Sequence, residues 1–104
     1  MSPQIKIDKD RIVEFCHKWK VTECSLFGSV LAENFGPDSD IDVLVAFAPE
    51  ARWSLLDMVE MREELQQLFG RSVDLLTRRA VEKSKNWIRR RAILESAECI
   101  YAQR

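Results

Sequence analysis

From Asp8 onward the apolar positions Ile12, Phe15, Cys16 and Trp19 recur at intervals of three and four, which makes one face of a helix hydrophobic and puts Asp8 where an N-cap belongs. The period then changes. Val21 to Phe27 mixes β-branched, Cys, Leu and Phe residues and stops at Gly28-Ser29, so it reads as a strand. Val30 to Phe35 has room for one helical turn, and Gly36-Pro37-Asp38-Ser39 is a turn cluster. Ile41 to Phe47 is nearly unbroken apolar sequence, the pattern of a central strand covered on both faces, and Pro49 ends it. Ser54 caps a long helix carrying Leu55, Met58, Met61, Leu65, Leu68 and Phe69 along one side, closed by Gly70. Ser72 to Leu76 reads as a third strand. After a basic stretch, Trp87 to Tyr101 reads as a last helix with Ile93, Ala97 and Ile100 turned inward.

The order predicted is α-β-(short α)-β-α-β-α, an α/β (α+β) chain with a small mixed sheet of about three strands packed against helices. Strand, long helix, strand makes a crossover, so the second and third strands should run parallel, while the short link between the first two lets them run antiparallel. A chain of 104 residues has room for a single domain, taken as 1–104. With 46% hydrophobic residues and only three Gly and three Pro, a disordered or low-complexity chain is excluded. Sixteen Lys and Arg against seventeen Asp and Glu leave no global field for non-specific nucleic-acid binding, so nucleic acid is not expected as the main partner. Cys16, Cys24 and Cys99 form no C-x-x-C pair and read as reduced, mostly buried thiols. Neither a signal-like start nor an apolar run near the roughly 20 residues of a membrane span occurs, and a cytoplasmic protein is the expectation.

The chemistry concentrates between Leu26 and Val45. Asp40 and Asp42 are two apart at the start of an apolar strand, so their carboxylates share a face and repel unless a cation or hydrogen bonds neutralise them. Hard oxygen ligands suit Mg²⁺ or Mn²⁺. Asp74 interrupts the next apolar strand, which the crossover sets beside the one carrying Asp42, so three carboxylates can converge and hold two metals, with Asp74 available as a base. Gly28 lets a phosphate approach the backbone, and Ser29 adds a hydroxyl at the opening of the short helix. Together these residues suit in-line attack on an α-phosphorus with pyrophosphate leaving.

Phe27-Gly28-Ser29, ten residues, then Asp40-Ile41-Asp42-Val43-Leu44-Val45 resembles the signature of the DNA-polymerase-β nucleotidyltransferase superfamily, and the short length resembles its minimal nucleotidyltransferase (MNT) group. The resemblance implies a nucleotidyltransferase fold, two divalent ions on Asp40, Asp42 and Asp74, and ATP held through Gly28 and Ser29. Many MNT proteins are antitoxins of all-helical HEPN toxins and transfer AMP to a toxin tyrosine, so a HEPN-type partner is implied. The family commonly follows Gly-Ser with a basic segment. Here Val30 to Phe35 contains none, which keeps open a second reading, an antitoxin that neutralises its partner by occlusion.

The basic run from Arg78 to Arg91 reads as a solvated face, with a surface for a nucleic acid, an acidic partner or the triphosphate tail as the alternative, and Trp87 within it as a packed anchor. His17 reads as a surface or boundary residue. Arg52 and Trp53 follow the carboxylate strand closely enough to border a nucleotide. No P-loop exists, which disfavours a kinase-type mechanism. A chain of this size also suits a homodimer or a complex with its partner.

Overall fold

The computed structural model describes residues 7–28, 36 and 39–103. Helix α1 (Lys9–Lys18) is capped by Asp8, whose side chain accepts from Arg11 N, and it buries Ile12, Phe15 and Cys16. Strands β1 (Val21–Phe27) and β2 (Ile41–Phe47) follow and pair antiparallel. The expected short helix between them lies outside the described residues. Helix α2 (Leu55–Phe69) opens on a reciprocal capping box, in which Ser54 and Asp57 each accept from the other's backbone N–H. It closes on Gly70 at φ 70°, a left-handed conformation that glycine takes without steric cost. Strand β3 (Val73–Thr77) then lies parallel to β2, as the crossover requires.

Beyond β3 the structure departs from the expected pattern. A short helix α3 (Arg78–Glu82), capped by Thr77, occupies the basic stretch. Helix α4 begins at Trp87 but ends at Ser96, and Glu98–Ala102 forms a fourth strand, β4. This strand pairs antiparallel with β1, so the sheet has four strands in the order β3-β2-β1-β4 instead of three. Ile100 is inward as expected, but it packs from a strand. The free edge of β1 decides the matter, since its backbone donors and acceptors need partners and helix α4 cannot supply them.

Alternation along β2 divides the molecule into layers. Ile41, Val43 and Val45 join α1 and α2 in one core with Cys24, Leu26, Met61 and Leu65. Leu44 points the other way and meets Phe27, Val81 of α3 and Ile93 of α4. Helices therefore cover both sheet faces, which explains the continuous apolar run. Leu55, expected inward, is 81% exposed, because the first turn of α2 lies outside the core. Trp87, expected to pack, is 58% exposed.

The three thiols are free, with Cys16 and Cys24 buried and Cys99 exposed. A hydrogen bond with Cys16, then burial, then the nearby Cys16 and Cys99, push the Cys24 thiol well above its ordinary value of 9.0. Above that pH the unfolded thiol ionises while the native one stays protonated, so the unfolded state binds fewer protons and stability falls as pH rises. The expected result is a denaturation midpoint that Cys24 leaves untouched below about pH 8 and lowers above about pH 9, with a shallower decline in Cys24→Ala. An unchanged slope in that variant would remove the thiol from the account.

Candidate active site

The sheet gathers the candidate residues at one end, where β1 finishes and β2 and β3 begin. Phe27 of β1 is the register partner of Asp42, and Asp42 is the register partner of Asp74. Ile41, Val43, Val73 and Leu75 face the α1/α2 core. By alternation Asp42 and Asp74 face the opposite side, the one covered further along by α3 and α4. Asp40 lies one residue ahead of β2, and both Asp40 and Asp74 are exposed while Asp42 is half-buried. Neighbouring strands stand about 4.8 Å apart, so Asp42 and Asp74 sit side by side on the two strands.

Gly28 lies directly against this set. It has φ 74°, and a Cβ built on it would overlap Oδ2 of Asp42 and lie 3.2 Å from its Cγ. The sequence alone leaves the position open for a phosphate. In the structure the space a side chain would fill belongs to the Asp42 carboxylate, so glycine is needed first to let that carboxylate lie over the strand end. Ser29, the other expected phosphate contact, lies outside the described residues.

Side-chain placement is looser than the expected three-way convergence. Among the described residues no group of three or more His, Cys, Asp or Glu is positioned to hold a metal ion. A Mg²⁺ ion is commonly bound by one or two carboxylates with substrate phosphates and water completing the shell, and Asp40 with Asp42 meets that requirement. The donor set is hard oxygen only, which suits Mg²⁺ or Mn²⁺. The room made at Gly28 for one of those carboxylates supports the fit.

One residue at this end escaped the sequence reading. Arg71, in the α2–β3 turn, donates through Nη2 to the carbonyl of Ser39 at 3.0 Å and to the carbonyl of Gly36. No periodicity or motif marks it, because its partners are backbone groups more than thirty residues away in the chain. Arg52 and Trp53, by contrast, sit beyond the far end of β2. Asp42 and Phe47 are five residues apart on that strand, about 17 Å. Trp53 donates to the carbonyl of Trp19 at 3.0 Å and meets its ring edge-on, a packing role. His17 is exposed beside Tyr101, and Arg78 and Arg91 of the basic run pair with Glu23 and Glu95. Those surface pairs contribute little stability, about 0–1 kcal/mol each.

Gly28 thus lies against Asp42 of β2, with Asp40 one residue ahead of that strand and Asp74 in register on the parallel strand beside it. The family model described as a nucleotidyltransferase domain matches residues 10–99, and the chain belongs to that family. One relative is a provisionally assigned protein adenylyltransferase of Methanocaldococcus jannaschii, 41% identical over 69 residues that cover 66% of this chain and 72% of the relative. The chain spans 63% to 72% of the length of the curated relatives it matches. A solved toxin–antitoxin complex with AMP-PNP matches with a TM-score of 0.70 at 17% identity, covering 94% of this chain and 76% of that one. The solved complex of a tri-AMPylated Shewanella oneidensis HEPN toxin with an MNT antitoxin matches with a TM-score of 0.59 at 16% identity, covering 91% and 70%. At these identities the two structures carry the fold. No helix among the described residues is long and apolar enough to cross a membrane.

Proposed function

We propose that residues 1–104 act as one minimal nucleotidyltransferase domain, the antitoxin of a HEPN/MNT pair, moving AMP from ATP to a tyrosine of the partner toxin. The observation that carries this reading is Gly28 at positive φ against the Asp42 carboxylate, with Asp74 opposite in register. A protein adenylyltransferase among the relatives and an AMPylated HEPN toxin beside a structural neighbour support the choice of nucleotide and acceptor. Asp40 and Asp42 would hold a divalent ion, with Asp74 as a third ligand. When bound, such ions neutralise the triphosphate and make the acceptor hydroxyl more acidic.

This chain's own residues then have distinct tasks. The backbone N–H at Gly28, with the Ser29 hydroxyl, would hold the phosphates in line with the acceptor. Asp74, exposed at the same end, accepts the phenolic proton as the tyrosyl oxygen bonds to the α-phosphorus. The bond from that phosphorus to its bridging oxygen breaks, and pyrophosphate leaves with the electron pair. Positioning supplies most of the acceleration, because both reactants are held rather than meeting by diffusion. The acceptor tyrosine belongs to the partner, and Asp40 and Asp74 are exposed to meet it.

Intact mass of the HEPN-type partner after incubation with this protein, ATP and Mg²⁺ tests the reading. A gain of one or more AMP units, with pyrophosphate released in equal amount, is expected. No gain while the two proteins still co-purify would replace it with neutralisation by occlusion, the reading favoured by the absence of a basic residue between Val30 and Phe35.

A further inference from the structure

We propose that Arg71 is a positioning residue that fixes the backbone ahead of Asp40 and thereby sets where that carboxylate stands. This rests on the assignment of Asp40 to the metal-binding pair. Ahead of Asp40, Gly36 and Ser39 bond each other, Ser39 N donating to Gly36 O at 3.1 Å and Gly36 N donating to Ser39 Oγ at 3.1 Å. Arg71 Nη2 donates to the carbonyls of both residues, Gly36 O and Ser39 O. On the other side of Asp40, Ile41 N donates to Ser72 O at 2.9 Å. Two consecutive residues of the α2–β3 turn therefore hold the chain immediately before and immediately after Asp40.

The choice of arginine follows from the geometry. Each terminal guanidinium nitrogen carries two N–H groups fixed in one plane, so a single Nη2 serves two carbonyls in a set direction. The charge strengthens both bonds, and the guanidinium Nε is itself buried. A lysine ammonium could reach the same oxygens, but its hydrogens rotate and specify no direction. Asp42 has strand pairing on both sides to hold it, whereas Asp40 lies one residue outside β2. Arg71 and Ser72 supply at Asp40 what the sheet supplies at Asp42.

Replacing a residue that orients a metal ligand commonly lowers metal affinity or activity by about 10–100-fold. Arg71→Met should therefore bind Mn²⁺ that much more weakly in the presence of ATP bearing a methylene bridge between its α- and β-phosphorus, read from the electron paramagnetic resonance of free Mn²⁺. In AMP transfer its kcat should fall by a similar factor, with the KM for ATP within about 3-fold of wild type, and Arg71→Lys should recover part of the loss. Wild-type Mn²⁺ affinity and kcat in Arg71→Met overturn the proposal. If Arg71→Met does not fold, Arg71→Lys decides, and it must lie between wild type and Asp40→Asn. Should Asp40→Asn itself bind Mn²⁺ as wild type does, the assignment of the carboxylate fails, and the role of Arg71 fails with it.

Discussion

The Asp40→Asn/Asp42→Asn double variant is expected to lose AMP transfer by at least about 10²–10³-fold, the scale seen when a preorganised charge-stabilising group is removed. Its fold and its complex with the partner should survive. Asn keeps the size and shape of Asp and Asp40 is exposed, so the substitutions open no cavity and force no overpacking. Initial rates of partner mass gain measure the first effect, and size-exclusion chromatography of the complex measures the second. A double variant that transfers AMP at the wild-type rate would remove both carboxylates from the chemistry. Retained toxin neutralisation without transfer would instead show that contact alone silences the partner.

Gly28→Ala should be nearly as damaging to activity and moderately damaging to stability. Two costs combine there. An L-residue at φ 74° pays roughly 1–2 kcal/mol for the left-handed backbone, and the new methyl overlaps the Asp42 carboxylate, which must rotate away. A displacement of about 1 Å in a reacting group is enough for a 10²-fold loss of rate. Gly70→Ala is the natural control, because Gly70 has φ 70° but nothing within 4 Å of its hypothetical Cβ. It should lose the same roughly 1–2 kcal/mol of backbone stability with AMP transfer intact. Denaturant titration and transfer rates on both variants separate the terms, and equal loss of activity in the two would show that backbone strain, not the displaced carboxylate, is responsible.

These comparisons show what local pattern can and cannot reveal. α1, β1, β2 and α2 were legible because their caps, periods and stops are local, from Asp8 and Ser54 to Gly70. The segment from Ile93 to Tyr101 satisfies two periods at once. Ile93, Ala97 and Ile100 fit a helix, while Glu98 to Ala102 can pair as a strand, and only the open edge of β1 selects the second. Leu55 fits the α2 stripe by counting, yet counting cannot say where the sheet ends beneath the helix. For the candidate site, the carboxylates and Gly28 were visible from spacing. Their mutual contact and the hold of Arg71 on Ser39 were not, because both depend on chain segments brought together by the crossover.

The place of β4 has a consequence for synthesis. Every candidate site residue is translated by Asp74, and β1 before any of them, yet its outer edge is covered only once Glu98 to Ala102 has been added. During that interval the nascent strand displays unpaired amides and carbonyls to any extended chain nearby, the condition that favours intermolecular pairing. A message truncated after Glu95 would encode every candidate site residue and still release a chain with a bare β1 edge, marked for aggregation or proteolysis.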